Sequence, residues 1–437
     1  MLINCPERMD ELRSASKEIS GSRGGIPDSS FYQEKLRTVW CRAQKTESYR
    51  SLGEFSWEAF AGLSRTPKDR LKATPGEFLA GAARREVKYY ETTGTTGQPT
   101  PTPRTAEDII WNTVSVAESW RNLLGKNERV LVMMPSDIVP VADMIVGVCE
   151  YLDLPHARCY PFTTGISDWD RLIGLWETLQ PSTVFIAPGV ALQLSRLLKE
   201  RGLLERYGAS VTKMMLLGEV STPPFRARLG QWWDASAFDA SYGSTETGTL
   251  ATSCANDQLH LLTATNYFEL ATDDGAAPLS DSGAGRLVVT PLNLHARSLL
   301  RLDTGDDVKI SSACECGDEA PVVQVVGRSS DALQVRNANL TVRAVEEVVF
   351  GATESTGYLM EADSAGQFAR LILERDVNWD RDSETDMTAR LQALSQDNLG
   401  LQWDEVVFVN QLPATTKSGA SQKNWKRSNF RVLESTS

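Results

Sequence analysis

The chain has 437 residues, which is too long for one ordinary hydrophobic core, so we expect two or more domains. Hydrophobic residues make up 41% of it and charged residues 23%, which are the proportions of a soluble globular protein. Its net charge of −12 argues against partners that are themselves negative, such as nucleic acid and an anionic membrane surface.

The sequence also predicts the compartment. No apolar run approaches the length needed to cross a bilayer, and the N-terminal segment is charged throughout, unlike a signal peptide. The seven cysteines are an odd number and are unevenly spread, which favours a reducing compartment over a disulfide framework. We therefore predict a cytoplasmic protein with no membrane or nucleic-acid partner.

Residues 1–85 are predicted to be mostly helical, and strands and helices alternate after them. Strands are predicted at residues 87–91, 129–134, 183–187 and 211–217, with helices at 106–124, 141–152 and 190–200. This alternation predicts a parallel or mixed sheet covered by helices on both faces. Ligands of such sheets bind beyond the carboxyl ends of the strands, where the loops beginning at Thr92, Ser136, Pro188 and Gly218 are expected.

The pattern changes after Gly285. Strands are predicted at residues 286–290, 298–302 and 322–326. Beyond a joint at Gly327, strands are predicted at 368–373 and 405–409 and a helix at 387–396. We therefore predict an α/β fold with a large N-terminal domain, residues 1–326, and a small C-terminal domain, residues 327–437. A hinge at residues 327–331 is expected to join them.

Threonine and glycine fill residues 92–100, whose sequence is TTGTTGQPT. Glycine lets the backbone approach a ligand closely, while exposed N–H groups and hydroxyls can donate hydrogen bonds to phosphate oxygens. The segment is not the usual P-loop, because Gly94 and Gly97 are too close together and no lysine follows. It is either a phosphate-binding loop or a polar linker.

Residues 241–248, with the sequence SYGSTETG, form a second candidate segment. The ring of Tyr242 can stack on a purine, and the hydroxyl of Thr245 can hold a phosphate. The carboxylate of Glu246 can hold Mg²⁺, which prefers oxygen ligands. The same residues could also make a simple turn.

Two more segments follow. Residues 301–306, with the sequence RLDTGD, end in Asp306, whose carboxylate could accept hydrogen bonds from two ribose hydroxyls. Residues 326–331, with the sequence VGRSSD, lie at the predicted hinge. The first of these segments could instead be a surface hairpin turn.

These four segments, in this order, resemble the motifs of the adenylate-forming superfamily of acyl-CoA synthetases, adenylation domains and luciferases. The resemblance covers roughly residues 85–430 and is strongest to the phenylacetate–CoA ligase group. It implies mixed sheets covered by helices with a small β-barrel-like part, and a small mobile α+β C-terminal domain. It also implies activation of a carboxylic acid by ATP as an acyl-adenylate with release of pyrophosphate, then transfer to a thiol such as CoA or a carrier protein.

The resemblance implies a role for each motif residue. The residues that would close over the β- and γ-phosphates are Thr92, Thr93, Gly94, Thr95, Thr96 and Gly97. The residues that would contact the adenosine part are Gly218, Glu219, Val220, Tyr242, Gly243, Asp306 and Arg328. Thr245 would contact the α-phosphate and Glu246 would bind Mg²⁺. The protein would mainly position the reactants and neutralise charge.

The chain departs from its relatives at four places. Gln98 and Ala420 stand where the group carries lysines, Ser330 stands where an acidic residue or a lysine is usual, and Asn337 stands where a glycine is usual. Lys417 or Lys423 is expected to replace the lysine missing at 420, because a flexible lysine is a movable point charge; otherwise adenylation is slow or needs no lysine. The resemblance places the glycine replaced by Asn337 on the loop that lines the thiol tunnel, so the acceptor stays open between CoA, a carrier-protein thiol, an amine and a hydroxyl. Gln98 and Ala420 leave a non-catalytic nucleotide-binding relic as a further alternative.

A metal site is also predicted. Cys314 and Cys316 form a C-x-C-G knuckle, and Cys254 and His260 lie upstream. Three thiolates and one imidazole fit a closed tetrahedral Zn²⁺ site of the structural kind, and some relatives have such a set in these places. The alternative is two buried cysteines and an unrelated histidine.

The substrate is predicted only as a class. The relatives take aryl or arylacetic acids, so the resemblance implies an aromatic carboxylate. Residues 135–160 and 185–220 are expected to line its pocket. The protein is expected to be a monomer or a homodimer.

Overall fold

The computed structural model describes residues 5–21, 25–80, 86–92, 99–272, 275–312, 314–327, 332–413 and 429–433. The chain forms two compact units. Unit 1 consists of Met1–Tyr160 and Ala240–Val326, and unit 2 consists of Pro161–Asp239 and Gly327–Ser437. Among the described residues, no helix is long and apolar enough to span a bilayer.

The described residues form twelve α-helices. In chain order they are α1 (Pro6–Gly21), α2 (Ser29–Ala43), α3 (Trp57–Ala61), α4 (Lys68–Ala73), α5 (Ala106–Trp120), α6 (Val141–Tyr151), α7 (Trp169–Leu179), α8 (Pro188–Glu200), α9 (Leu204–Gly208), α10 (Pro223–Trp233), α11 (Val342–Ala352) and α12 (Glu384–Leu399).

The strands alternate with these helices in the first half of the chain and dominate the middle. In chain order they are β1 (Thr66–Pro67), β2 (Glu86–Glu91), β3 (Pro101–Thr105), β4 (Val130–Met133), β5 (His156–Arg158), β6 (Thr183–Ile186), β7 (Lys213–Leu216), β8 (Ser236–Asp239), β9 (Ser241–Ser244), β10 (Gly248–Ser253), β11 (Leu259–Leu261), β12 (Asn266–Thr272), β13 (Gly275–Pro278), β14 (Gly283–Pro291), β15 (Leu302–Ser311), β16 (Val322–Gly327), β17 (Leu333–Val335), β18 (Ala338–Leu340), β19 (Gly357–Asp363), β20 (Ala369–Glu374), β21 (Glu405–Val409) and β22 (Phe430–Leu433). The predicted α/β class is confirmed.

A long, mostly antiparallel sheet forms the centre of unit 1. Its strand order is β13-β12-β14-β15-β16-β11-β10-β9, and β1 joins it by pairing in parallel with β15. Helix α2 packs on this sheet. Its N-terminus is capped by Asp28, whose carboxylate accepts the N–H of Phe31 at 2.9 Å. Its buried side chains repeat at helical spacing, and they are Tyr32, Leu36, Val39, Trp40 and Ala43.

The threonine–glycine segment connects the two strands of a hairpin in unit 1. Strands β2 and β3 pair antiparallel, and Thr92 and Thr100 close the connection between them. The N–H of Thr92 donates to the carbonyl of Thr100 at 3.0 Å, and the N–H of Thr100 donates to the hydroxyl of Thr92 at 2.9 Å. Helix α5 follows β3 directly through a capping box, in which Thr105 and Asp108 each accept the other's backbone N–H.

Unit 2 contains the parallel strands β6, β7 and β8, and a second sheet in the order β21-β20-β19-β22. Helices α10 and α11 join its two chain segments. The rings of Phe225 and Phe350 lie 5.0 Å apart between them, and the N–H of Thr222 donates to the carboxylate of Glu346 at 3.0 Å. The division predicted at residue 327, with its hinge, stays a prediction, and residues 328–331 lie outside the described residues.

The strand predicted at residues 298–302 is wrong. Strand β15 begins only at Leu302, because Arg301 has a φ of 47°, which breaks the extended backbone. Ser298, Leu299 and Leu300 are buried without being a strand. Residues 303–306 are not a hairpin turn but lie within β15.

Candidate functional site

Two of the predicted nucleotide-binding residues are in direct contact. The hydroxyl of Tyr242 on β9 donates to Oδ2 of Asp306 on β15 at 2.7 Å, although 64 residues separate them in the chain. Three strands lie between β9 and β15 in the sheet, so the sheet must curve to bring the two side chains together. Asp306 is buried, and its N–H donates to the hydroxyl of Thr304 at 3.2 Å. The contact therefore holds both side chains in one arrangement.

Glu246 lies in the turn between β9 and β10 and is buried. Its Oε1 is 3.6 Å from Nζ of Lys68, the first residue of α4. Burial opposes ionisation of this carboxyl, but the nearby charge of Lys68 and several hydrogen bonds hold its pKa below the usual value. An ionised, buried carboxylate of this kind suits a divalent cation. Sequence reasoning missed Lys68, which has no motif of its own.

Arg104, at the end of the β2–β3 hairpin, fixes the backbone of the same turn. Its Nη2 donates to the carbonyl of Thr245 at 2.6 Å and to that of Glu246 at 3.2 Å. The guanidinium is buried. Because hydrogen bonds from a charged donor are stronger than neutral ones, Arg104 holds Thr245 and Glu246 at the end of the hairpin. Arg104 belongs to none of the motifs named in the sequence analysis, so it was missed there.

Arg297 completes a group of three cations around the turn. Its side chain is fully buried, with 0% exposure, and its Nη2 donates to the carbonyl of Pro101 at the start of β3. Burial, reinforced by the neighbouring charge of Arg104, lowers the pKa of Arg297 to about 10, so it stays protonated at neutral pH. Arg297 and Glu246 act on each other electrostatically.

The other predicted nucleotide residues are placed as follows. Thr92 closes the β2–β3 hairpin, and Gly243 lies on β9 beside Tyr242. In unit 2, residues 218–220 follow β7, and the carboxylate of Glu219 accepts the N–H of Gly189 in the first turn of α8 at 2.9 Å. The predicted residues outside the described part of the chain are Thr93, Gly94, Thr95, Thr96, Gly97, Arg328, Lys417 and Lys423.

The four predicted metal ligands come together in unit 1. The ligand atoms of Cys254, His260, Cys314 and Cys316 all lie within 4.8 Å of one another. Sγ of Cys254 is 3.7 Å from Sγ of Cys314, and Sγ of Cys316 is 3.3 Å from Nε2 of His260. They come from the end of β10, from β11 and from the connection between β15 and β16.

The surroundings of this cluster fit a metal ion. Zn–S bonds of about 2.3 Å in a tetrahedron place two sulfurs about 3.8 Å apart, close to the Cys254–Cys314 distance. Nδ1 of His260 lies 2.6 Å from the carbonyl of Ala320, which assigns the ring proton to Nδ1 and leaves the lone pair of Nε2 facing the sulfurs. Burial raises the pKa of the Cys254 and Cys316 thiols, and backbone N–H groups that donate to both Sγ atoms oppose part of this rise.

Comparisons with known proteins extend over most of the chain, although no family model matches it. It is 22% identical over 380 residues to a phenylacetate–coenzyme A ligase of Aromatoleum evansii, covering 84% of this chain and 82% of that one. It is 23% identical over 323 residues to the phenylacetate–coenzyme A ligase of Escherichia coli strain K12, covering 71% of each. A solved structure of 2-hydroxyisobutyryl-CoA ligase in the postadenylation state with 2-HIB-AMP matches with a TM-score of 0.77 at 17% identity, covering 95% of this chain and 91% of that chain.

Proposed function

Since the chain is a distant relative of the phenylacetate–CoA ligases and has the fold of the adenylate-forming superfamily, we propose that it is an ATP-dependent carboxylic acid–CoA ligase. The observation that carries the proposal is the contact between Tyr242 and Asp306 in the same unit as the buried, ionised Glu246. A purine on the Tyr242 ring and a ribose at Asp306 would orient the triphosphate toward the turn that contains Thr245 and Glu246.

The first half-reaction joins an acid to AMP. One oxygen of the substrate carboxylate attacks the α-phosphorus of ATP, an O–P bond forms, and the P–O bond between the α- and β-phosphates breaks. Pyrophosphate leaves with the electron pair. Thr245 would contact the α-phosphate, and Arg104 keeps its backbone in place. Because the nucleophile is already an anion, the residues of the site need to orient and neutralise charge rather than remove a proton.

Glu246 would hold Mg²⁺ through its carboxylate. The bound ion would neutralise charge on the phosphate oxygens and orient the leaving group. Glu246 has the properties this role needs, because it is buried and ionised. Its Oε1 lies 3.6 Å from Nζ of Lys68, which is longer than a hydrogen bond, so a cation could replace this contact.

The second half-reaction transfers the acyl group. The CoA thiol attacks the acyl carbon, a C–S bond forms, the C–O bond to AMP breaks, and the thiol proton is released. The names of the relatives support CoA as the acceptor. We further propose that residues 1–326 and 327–437 act as two domains that move about residues 327–331 between the two steps, and that Lys417 or Lys423 supplies the movable charge.

The proposed substrate is an aromatic carboxylic acid, since the curated relatives are named for phenylacetate. The test is acid-dependent exchange of labelled pyrophosphate into ATP over a panel of aryl, arylacetic and short aliphatic acids. Loss of free thiol from added CoA then measures the second step. Exchange with no thioester would assign an amine, a hydroxyl or a carrier protein as acceptor. No exchange with any acid would favour a nucleotide-binding relic.

Asp306→Asn is expected to raise the KM for ATP about tenfold or more, because a charged acceptor for the ribose hydroxyls is replaced by a neutral amide. The change is measured by exchange at varied ATP concentration. Asp307→Asn is the matched control, since Asp307 is the next residue on β15 and pairs with Arg286 instead. Equal KM values for Asp306→Asn and the wild type would contradict the ribose assignment.

Lys68→Ala is expected to lower the exchange rate about tenfold. The buried Glu246 loses its ion pair with Lys68, and the site keeps one positive charge fewer to balance the charge of the triphosphate. Lys72→Ala is the control. Lys72 lies one turn later on α4, is more exposed, and pairs with Asp69. A Lys68→Ala protein that exchanges as fast as Lys72→Ala would remove Lys68 from the site.

We also propose that Cys254, His260, Cys314 and Cys316 hold a structural zinc ion. With four protein ligands the site would have no open position, so zinc would supply folding energy rather than chemistry. It would tie the β10–β11 turn to the connection between β15 and β16.

A further inference from the structure

The predicted phosphate loop lacks positive charge. Residues 92–100 contain no lysine and no arginine. Hydroxyl and N–H donors can hold phosphate oxygens, but the leaving pyrophosphate carries several negative charges that a binding site normally balances with cations. The described residues around the turn of Glu246 offer three cations for this purpose: Lys68, Arg104 and Arg297.

Two of these cations are already engaged. Lys68 is paired with Glu246 at 3.6 Å, and Arg104 donates to the carbonyls of Thr245 and Glu246. Arg297 is different. Its Nε and Nη1 are buried and have no hydrogen-bond partner in the part of the chain that the structure describes.

The backbone around Arg297 is firmly placed. The carboxylate of Asp108 accepts the N–H groups of His295 and Ala296, the two residues before it, and the second of these bonds measures 3.2 Å. Its Nη2 is bonded to the carbonyl of Pro101, where the chain leaves the predicted phosphate loop. The guanidinium therefore lies at the base of that loop, within the electrostatic influence of Glu246.

Leaving two donors of a buried guanidinium without acceptors is unfavourable, because each donor has lost its hydrogen bonds to water. A fully apolar side chain would avoid this penalty. An anionic group of the substrate would also remove the penalty, by accepting hydrogen bonds from both donors. Arg297 is bonded to Pro101 at the end of the loop and interacts electrostatically with Glu246, the carboxylate expected to hold Mg²⁺, and these two contacts indicate which anion this is.

We infer that Arg297 binds the β- and γ-phosphates of ATP through Nε and Nη1, an inference that rests on the proposed function. When the bond between the α- and β-phosphates breaks, the electron pair moves onto the β-phosphate oxygen, and the guanidinium neutralises the charge that develops there. Arg297 thus supplies from within the fold the charge that residues 92–100 lack.

The test uses Arg297→Met, which keeps an unbranched apolar stem but removes the guanidinium and its charge, and Arg286→Met as the control. Arg286 lies on β14, is exposed, and pairs with Asp303 and Asp307. Binding of ATP, pyrophosphate and AMP, each with Mg²⁺, is measured by calorimetry and by the rise in melting temperature. The Arg297→Met protein is expected to bind ATP and pyrophosphate at least about tenfold more weakly and AMP within about twofold of the wild type.

The ligand-free stability gives a second readout. A purely structural Arg297 would make Arg297→Met less stable and would weaken AMP and ATP alike, and that result would overturn the inference. Phosphate binding predicts a ligand-free melting temperature that is unchanged or higher. If Arg297→Met does not fold, Arg297→Lys is measured instead. It keeps the charge but not the two aligned donors, and unchanged pyrophosphate affinity in that protein would overturn the inference.

The failure of the inference can be told from the failure of the proposed function. If the wild-type protein binds no ATP and shows no acid-dependent exchange, the proposed function fails. If the wild type does both and Arg297→Met binds pyrophosphate equally well, only the assignment of Arg297 fails.

Discussion

Glu246→Gln is expected to lower the rate of acid-dependent pyrophosphate exchange by at least about a hundredfold. Glutamine keeps the size of the side chain but removes the negative charge that would hold Mg²⁺. It also leaves Lys68 beside a neutral amide, with a positive charge that is no longer balanced. The measurement is the exchange rate at a series of Mg²⁺ concentrations. The Mg²⁺ concentration needed for half-maximal rate is expected to rise together with the fall in rate.

Glu269→Gln is the control for burial. Glu269 is buried too, but it forms a bidentate pair with Arg301 on the sheet rather than facing the turn after β9. Its loss is expected to lower stability while the Mg²⁺ requirement of the folded protein stays unchanged. If Glu246→Gln exchanged within about threefold of the wild type at every Mg²⁺ concentration, Glu246 would not be the metal ligand.

Local patterns predicted much of the fold. The strand predicted at residues 405–409 has the bounds of β21, and the run predicted at 87–91 differs from β2 by one residue. Both segments are short, rich in β-branched or aromatic residues, and followed by a polar residue, Asn410 or Thr92, so the local sequence is enough to predict a strand. The resemblance to the phenylacetate–CoA ligase group is confirmed by the curated relatives at 22–23% identity, and a solved CoA ligase structure has the same fold. It depended on motifs whose order along the chain could be read directly.

The charge around Glu246 could not be predicted in the same way. Lys68, Arg104 and Arg297 come from a short helix, a hairpin and a loop, and none belongs to a motif. Only the folded chain brings them together, through the parallel pairing of β1 with β15 and the bond from Arg297 to Pro101. The same limit explains the wrong strand at 298–302, where an apolar run is buried by tertiary contacts and the backbone turns at Arg301.

Cys316→Ser is expected to reduce the zinc content from about one ion per chain to nearly none and to lower the melting temperature by about 5 °C or more. Three of the four ligands would remain, but a closed tetrahedral site loses much of its affinity with one thiolate. The connection between β15 and β16 would then be held mainly by its ends. Zinc is measured by mass spectrometry of the purified protein, and melting by calorimetry with and without a chelator.

Cys41→Ser is the matched control, since Cys41 is an exposed free cysteine on α2 and belongs to no cluster. It is expected to keep the zinc and the melting temperature of the wild type. Because β15 also carries Asp306, the zinc-free protein is expected to bind ATP more weakly while its preference among acids stays the same. A wild-type protein without zinc, or a Cys316→Ser protein that keeps it, would show that the four side chains meet without binding a metal.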